Sequence, residues 1–126
     1  GEYCLTQEDL KACTKVPDGI AAGNYDIDIH NPEGSGTSHY FFAPGTWYTI
    51  PYRCLLPKDI KNLLVAGRCI SSTHEAQASY RIMPIVCCIG EAAGTAAGVA
   101  HQAGVSLQDV DIAKVRTLLQ AGGAPI

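Results

Sequence analysis

Residues 62–104 read NLLVAGRCISSTHEAQASYRIMPIVCCIGEAAGTAAGVAHQAG, and the fold turns on how this stretch divides. Leu63-Leu64-Val65-Ala66 is an unbroken apolar run closed by Gly67. Such a run suits a strand buried on both faces, as in a parallel sheet. A connector rich in Ser, Thr, His and Arg follows. A helix of small residues is then expected from Pro84 to Gln102. Pro fits a first-turn position, where its missing N–H costs nothing, and Gly104 is a natural C-terminal stop.

Within that helix Gly90, Gly94 and Gly98 recur every four residues, as do Ala92, Ala96 and Ala100, so each set lies along one face. Each glycine lowers helix propensity by about 1 kcal/mol relative to Ala. Close approach of another backbone, or of a planar ligand, is the expected compensation. Two readings stand side by side. One is helix-on-sheet packing along the glycine side. The other concerns the helix start, where free N–H groups near Met83–Val86 and the positive dipole end suit an anion or an electron-rich carbonyl.

The order N-L-L-V-A-G-R-C-I-S (62–71), T-H-E-A (73–76), A-S (78–79) and R-x-M-P (81–84) is preceded by I-P-Y-R-C-L-L-P at 50–57. Together these motifs resemble the C-terminal part of FAD-dependent oxidoreductases of the glutathione-reductase-like flavoprotein class. The resemblance runs from about Tyr25 to Gly104 and is dense from Ile50 to Gly98. It implies an α/β fold, α+β within this stretch. Residues 1–52 would form part of a β-rich substrate or cap region with a short N-terminal helix. Residues 53–126 would be the C-terminal segment of the FAD-binding domain.

The same resemblance implies a site. Ala66, Gly67 and Arg68 would meet the ribityl and pyrophosphate groups of FAD. The helix start at Met83, Pro84 and Ile85 would face the pyrimidine end of the flavin. Arg81 would hold a substrate carboxylate, with His74 as proton donor or acceptor. Arg53 would touch flavin or an anionic substrate, and His30, in D-I-H-N, would sit on the substrate side. From the residues alone a structural role for each also stays open: a surface ion pair for Arg53, a salt bridge for Arg68, a hydrogen-bonded connector for His74 and a turn histidine for His30.

The 126 residues carry a net charge of −3, so no basic footprint argues for nucleic acid. No apolar run approaches the roughly 20 residues needed to span a membrane, and no membrane partner is expected. Six cysteines occur without a C-x-x-C pair. Cys87 and Cys88 would point about 100° apart on a helix, which disfavours a shared metal. Buried free thiols in a reduced, cytoplasmic protein, with no metal site, are expected.

A G-x-G-x-x-G that follows a strand and opens a helix does not occur, and Gly34-Ser35-Gly36 lacks that context. The sequence therefore reads as the C-terminal fragment of a larger flavoenzyme whose partner is its N-terminal FAD-binding half. Alone it is expected neither to hold FAD nor to turn over a small-molecule substrate. Two other classes remain open: a structural or interaction domain without a ligand, and a small non-flavin α/β enzyme using His30, His74 and a Cys.

Elsewhere the pattern predicts a short strand at Tyr3-Cys4-Leu5 and a helix capped by Thr6, with Asp9 reaching back. Gly19–Gly23 reads as a loop or helical turn. Tyr25–His30 alternates as a half-buried strand, with Asp26 and Asp28 on a solvated face. A Gly-rich loop over 33–38, a short strand at His39–Phe42 and a second strand at Thr46–Arg53, bent by Pro51, follow. Asp111 is expected to cap a last helix, Ile112–Ala121.

Overall fold

Thr6 does start the first helix. In the computed structural model, which describes residues 1–30 and 37–126, α1 (Gln7–Lys11) carries a complete capping box. The Thr6 hydroxyl accepts from the Asp9 N–H, and the Asp9 carboxylate accepts from the Thr6 N–H at 3.0 Å. Tyr3-Cys4-Leu5 is not a full strand. Leu5 alone forms a parallel bridge, to Ser72.

Among the described residues four short strands follow: β1 (Gly19–Gly23), β2 (Ile27–His30), β3 (Thr37–Tyr40) and β4 (Tyr48–Pro51). They pair as two antiparallel ladders, β1 with β4 and β2 with β3. The loop expected over 33–38 lies mostly outside the described residues, and Thr37 and Ser38 already belong to β3.

Gly19–Gly23 is thus a strand rather than a loop. What favours it is close packing. A Cβ placed on Gly23 would lie 2.5 Å from the Tyr48 hydroxyl oxygen and 2.8 Å from Ile85 Cδ1, so only glycine lets β4 and the long helix meet there. The strand expected at Thr46–Arg53 is shorter. It ends at Pro51, where proline donates no N–H, and the chain turns into a 3-10 helix at Tyr52–Leu55.

The largest departure is Leu63–Ala66. These residues are not in a strand; one backbone bond, from the Val65 N–H to the Leu55 carbonyl at 2.9 Å, ties them down. The apolar run buries too little within this chain to be the centre of a sheet, and Leu63 is exposed. The fold is accordingly mixed α+β, with small two-stranded sheets in place of a parallel one.

The connector after Gly67 contains a second helix, α2 (His74–Tyr80), capped by the Thr73 hydroxyl accepting from the Ala76 N–H. The long helix α3 runs Met83–Ala103, and Gly104 closes it in the left-handed conformation at φ 66°. The last helix, α4 (Ile112–Ala121), has Asp111 as its cap, as expected.

One hydrophobic core collects Leu5, Leu10, Ile20, Tyr48, Ile50 and Leu55 with Ile85, Ile89, Val99, Val115 and Leu119. The buried stripe of α3 is Ile85, Ile89, Ala92, Ala96, Val99 and Ala100. The glycine face is open: a Cβ on Gly90, Gly94 or Gly98 would meet nothing within 4 Å. The alanine face makes the close contact instead. The thiols also differ from expectation, since Cys54 is buried but Cys4, Cys69 and Cys87 are exposed. Finally, α3 has 21 residues and an 18-residue stretch of mean hydropathy 1.5, long and apolar enough to cross a membrane by length and composition alone, because of its isoleucines, valines, cysteines and alanines.

Candidate functional site

Gly67 adopts φ 94°, a conformation side chains rarely tolerate, and so turns the chain sharply after Ala66. The turn brings its Cα against the first turn of α3, where an added Cβ would sit 3.9 Å from Val86 Cγ1. The residues beyond are then fastened to α2. Gln77 Nε2 donates to the Arg68 carbonyl at 3.1 Å, and the Tyr80 hydroxyl reaches the same carbonyl at 3.3 Å. Ser72 and Tyr80 share a hydroxyl–hydroxyl bond of 2.8 Å. Burial raises the Tyr80 phenol above its ordinary range, which keeps it a neutral donor.

Arg68 Nε donates to the Arg81 carbonyl at 2.8 Å. That carbonyl belongs to the C-terminal end of α2, where orphan acceptors and the negative dipole end favour a cation. Arg68 therefore has a structural bond, to a backbone carbonyl rather than to an acid. Arg81 itself donates from Nε to the Ala78 carbonyl at 3.3 Å and places Nη2 3.7 Å from Asp28 Oδ2.

Arg68, Gln77, Arg81, Ile82, Met83 and Pro84 line one open cavity of about 610 Å³. At its floor α3 begins without a side-chain cap: Ile82 occupies the cap position and no acid stands in the first turn. Pro84 has no N–H, so the first-turn donors left without an intrahelical acceptor are the amides of Met83 and of the buried Ile85. Two guanidinium groups, an uncapped helix start and an apolar rim thus converge. The arrangement can hold an anionic or electron-rich planar group.

The other expected site residues lie elsewhere. His74 is exposed at the first position of α2 and does not line this cavity. Beside it, Glu75 is held below the usual carboxylate range, first by its own backbone N–H and then by the Thr73 hydroxyl. Arg53 is engaged with Asp18, Nε to Oδ2 at 2.9 Å and Nη2 to Oδ1 at 3.3 Å, and lies over the Tyr3 ring at 5.0 Å. This is the surface ion-pair arrangement. His30 ends β2, and its side chain lies outside the described residues. Among the described residues no group of His, Cys, Asp and Glu could hold a metal.

A family model, FAD dependent oxidoreductase, matches residues 1–119. The chain belongs to the FAD-dependent oxidoreductase family. Membership covers nearly the whole chain, α1, both ladders and most of α4 included, and so extends beyond the motifs between Tyr25 and Gly104. Comparison with curated proteins and with solved structures found no match.

Membership in an FAD-dependent family makes the cavity at the start of α3 the place to test for fit. The residues present fit part of FAD. Gly67 leaves room for close backbone approach, the amides of Met83 and Ile85 suit a carbonyl or a ring nitrogen bearing charge, and Arg68 and Arg81 suit anions.

Gln77 and Asp28 are not singled out by the motifs. A signal for Gln77 existed, because Gln77 and Arg81 are four residues apart and share a helix face once Thr73 is read as a cap. Asp28 opens the D-I-H-N segment, but that resemblance points to His30. On alternation alone its side of β2 is the solvated one, yet its side chain is only 16 % exposed.

Proposed function

We infer that this chain closes the flavin site of an FAD-dependent oxidoreductase and lines the adjoining pocket for a small-molecule substrate. The observation that carries this reading is the uncapped start of α3, set between Gly67 at φ 94° and the guanidinium groups of Arg68 and Arg81. When bound, FAD supplies the two-electron chemistry; the protein supplies binding, orientation and charge.

Each residue then has a task. Ala66 and Gly67 bring backbone within reach of the cofactor without a side chain in the way. The amides of Met83 and Ile85 and the helix dipole stabilise negative charge at the pyrimidine edge, an effect worth about 0.3–2 kcal/mol. Met83, 72 % exposed, gives the cavity an apolar lip that excludes water when covered. Arg81, already tethered through Nε and Nη2, offers its remaining donors to an anionic substrate group. His74, at the exposed start of α2, would exchange protons with solvent or substrate.

The phosphate cradle that FAD requires is proposed to come from residues outside this chain, because no G-x-G-x-x-G opens a helix here. Titration calorimetry of the 126-residue chain with FAD tests that division. No heat at micromolar concentrations is expected, whereas a micromolar dissociation constant would show a complete site within these residues. In the intact enzyme, Arg81→Ala should retain the yellow flavin absorbance and lose turnover; full turnover would remove Arg81 from the pocket.

A further inference from the structure

Asp28 stands on β2 directly across from His39 on β3, and the pair forms one rung of that ladder. Its two carboxylate oxygens serve different partners. Oδ1 lies 3.4 Å from His39 Nε2, and Oδ2 lies 3.7 Å from Arg81 Nη2. His39 is itself stacked on Phe41, with ring centroids 5.7 Å apart and planes within 10°. The carboxylate is thus fixed from the strand side and presents one oxygen to the arginine at the end of α2.

Arg81 needs such a hold. Its side chain is 42 % exposed and sits at the cap of α2, where a free arginine would sample many rotamers. Nε is held by the Ala78 carbonyl, but that bond alone leaves the guanidinium free to turn about the Nε–Cζ bond. The ion pair from Nη2 to Asp28 slows that turning and favours one orientation of the guanidinium at the cavity shared with Arg68, Gln77 and Met83. An arginine pre-oriented in this way loses less entropy on binding a ligand.

We propose that Asp28 is a positioning residue: its carboxylate holds the Arg81 guanidinium in the orientation in which it faces the cavity at the start of α3. The proposal deepens the flavin-site reading, on which the purpose of Arg81 rests, but the Asp28–Arg81 link itself can be tested without flavin.

NMR of Arg81-labelled protein reads the rotation rate about Nε–Cζ in the 126-residue chain, with no cofactor present. Asp28→Asn keeps the size and the hydrogen-bonding capacity and removes the charge. Rotation should quicken roughly two- to fivefold, the range for a partly exposed ion pair, and Asp28→Glu should restore much of the restraint. An unchanged rate in a folded Asp28→Asn protein overturns the proposal. Should that variant not fold, Arg81→Gln carries the same test from the other side. The Asp28 carboxyl carbon shift should move, and a static shift overturns the proposal. The flavin reading fails separately. If sulfite, added to the FAD-loaded intact enzyme, binds Arg81→Ala as tightly as the parent, Arg81 does not act on the flavin, and the rotation result stands on its own.

Discussion

Gly67 lies against Val86: the backbone turn at φ 94° docks the end of the Leu63–Ala66 segment on the first turn of α3, with 3.9 Å between a notional Gly67 Cβ and Val86 Cγ1. That distance is ordinary van der Waals contact, so a methyl group fits in space. The backbone angle is what resists it. Gly67→Ala should therefore destabilise the chain by about 1–3 kcal/mol through strain alone. Urea unfolding measures this, and an unchanged midpoint would mean the turn relaxes freely.

The open glycine face of α3 gives the opposite sign. Gly90, Gly94 and Gly98 have helical backbone, and an added Cβ on any of them would have nothing within 4 Å. Replacing any one of them by Ala should stabilise this chain by about 0.4–1 kcal/mol, because Ala loses less freedom on folding. A loss of stability in the same unfolding assay would show that something packs on that face.

Arg53 and Arg81 should separate in function. Arg53 is committed to Asp18 and Tyr3, while Arg81 lines the cavity. Arg81→Ala in the intact enzyme should lower kcat/KM roughly ten- to a hundredfold, the value of a charge-assisted hydrogen bond. Arg53→Ala should cost about 0.2–1 kcal/mol of stability and leave kcat/KM near that of the parent. Steady-state kinetics paired with thermal melts distinguish the two.

Alkaline pH should unfold the chain by a route set in the core. Burial pushes the Cys54 thiol from near 9 up to about 12 and the Tyr52 phenol from near 10 up to about 12. Tyr48, bonded through its hydroxyl to Ser79 at 2.7 Å, is raised in the same direction. Groups with raised folded-state values contribute stability that is intact below their unfolded values and is lost as pH climbs towards the folded ones. The urea midpoint should therefore hold level up to about pH 9 and fall steadily above it. A midpoint that rises above pH 9 would contradict the burial of these groups.

Local signals in the sequence decide the helix ends, whereas the strands depend on partners far along the chain. Thr6 with Asp9, Gly104 and Asp111 announce helix ends because a cap is decided within four residues. Leu63–Ala66 has the composition of a central strand, but a strand also needs a neighbour, and among the described residues Leu55 alone supplies a backbone bond. Gly19–Gly23 has weak strand propensity and becomes a strand through Tyr48 and Ile85, both distant in sequence. In the site, Arg68, Arg81, Met83 and Pro84 line one cavity, and Gly67 lies beside Val86 rather than in that lining. The partnership of Asp28 with Arg81 spans 53 positions and two elements, and no local pattern encodes it.

The placement of the flavin is tested most directly by a crystal structure of the FAD-loaded intact enzyme, read as the distances from the Met83 and Ile85 amide nitrogens to the flavin. At least one of them should lie about 2.7–3.2 Å from flavin O2 or N1, with Arg81 facing the adjoining pocket. A flavin whose pyrimidine edge rests on another element, with the first turn of α3 facing solvent, would contradict the assignment of this site.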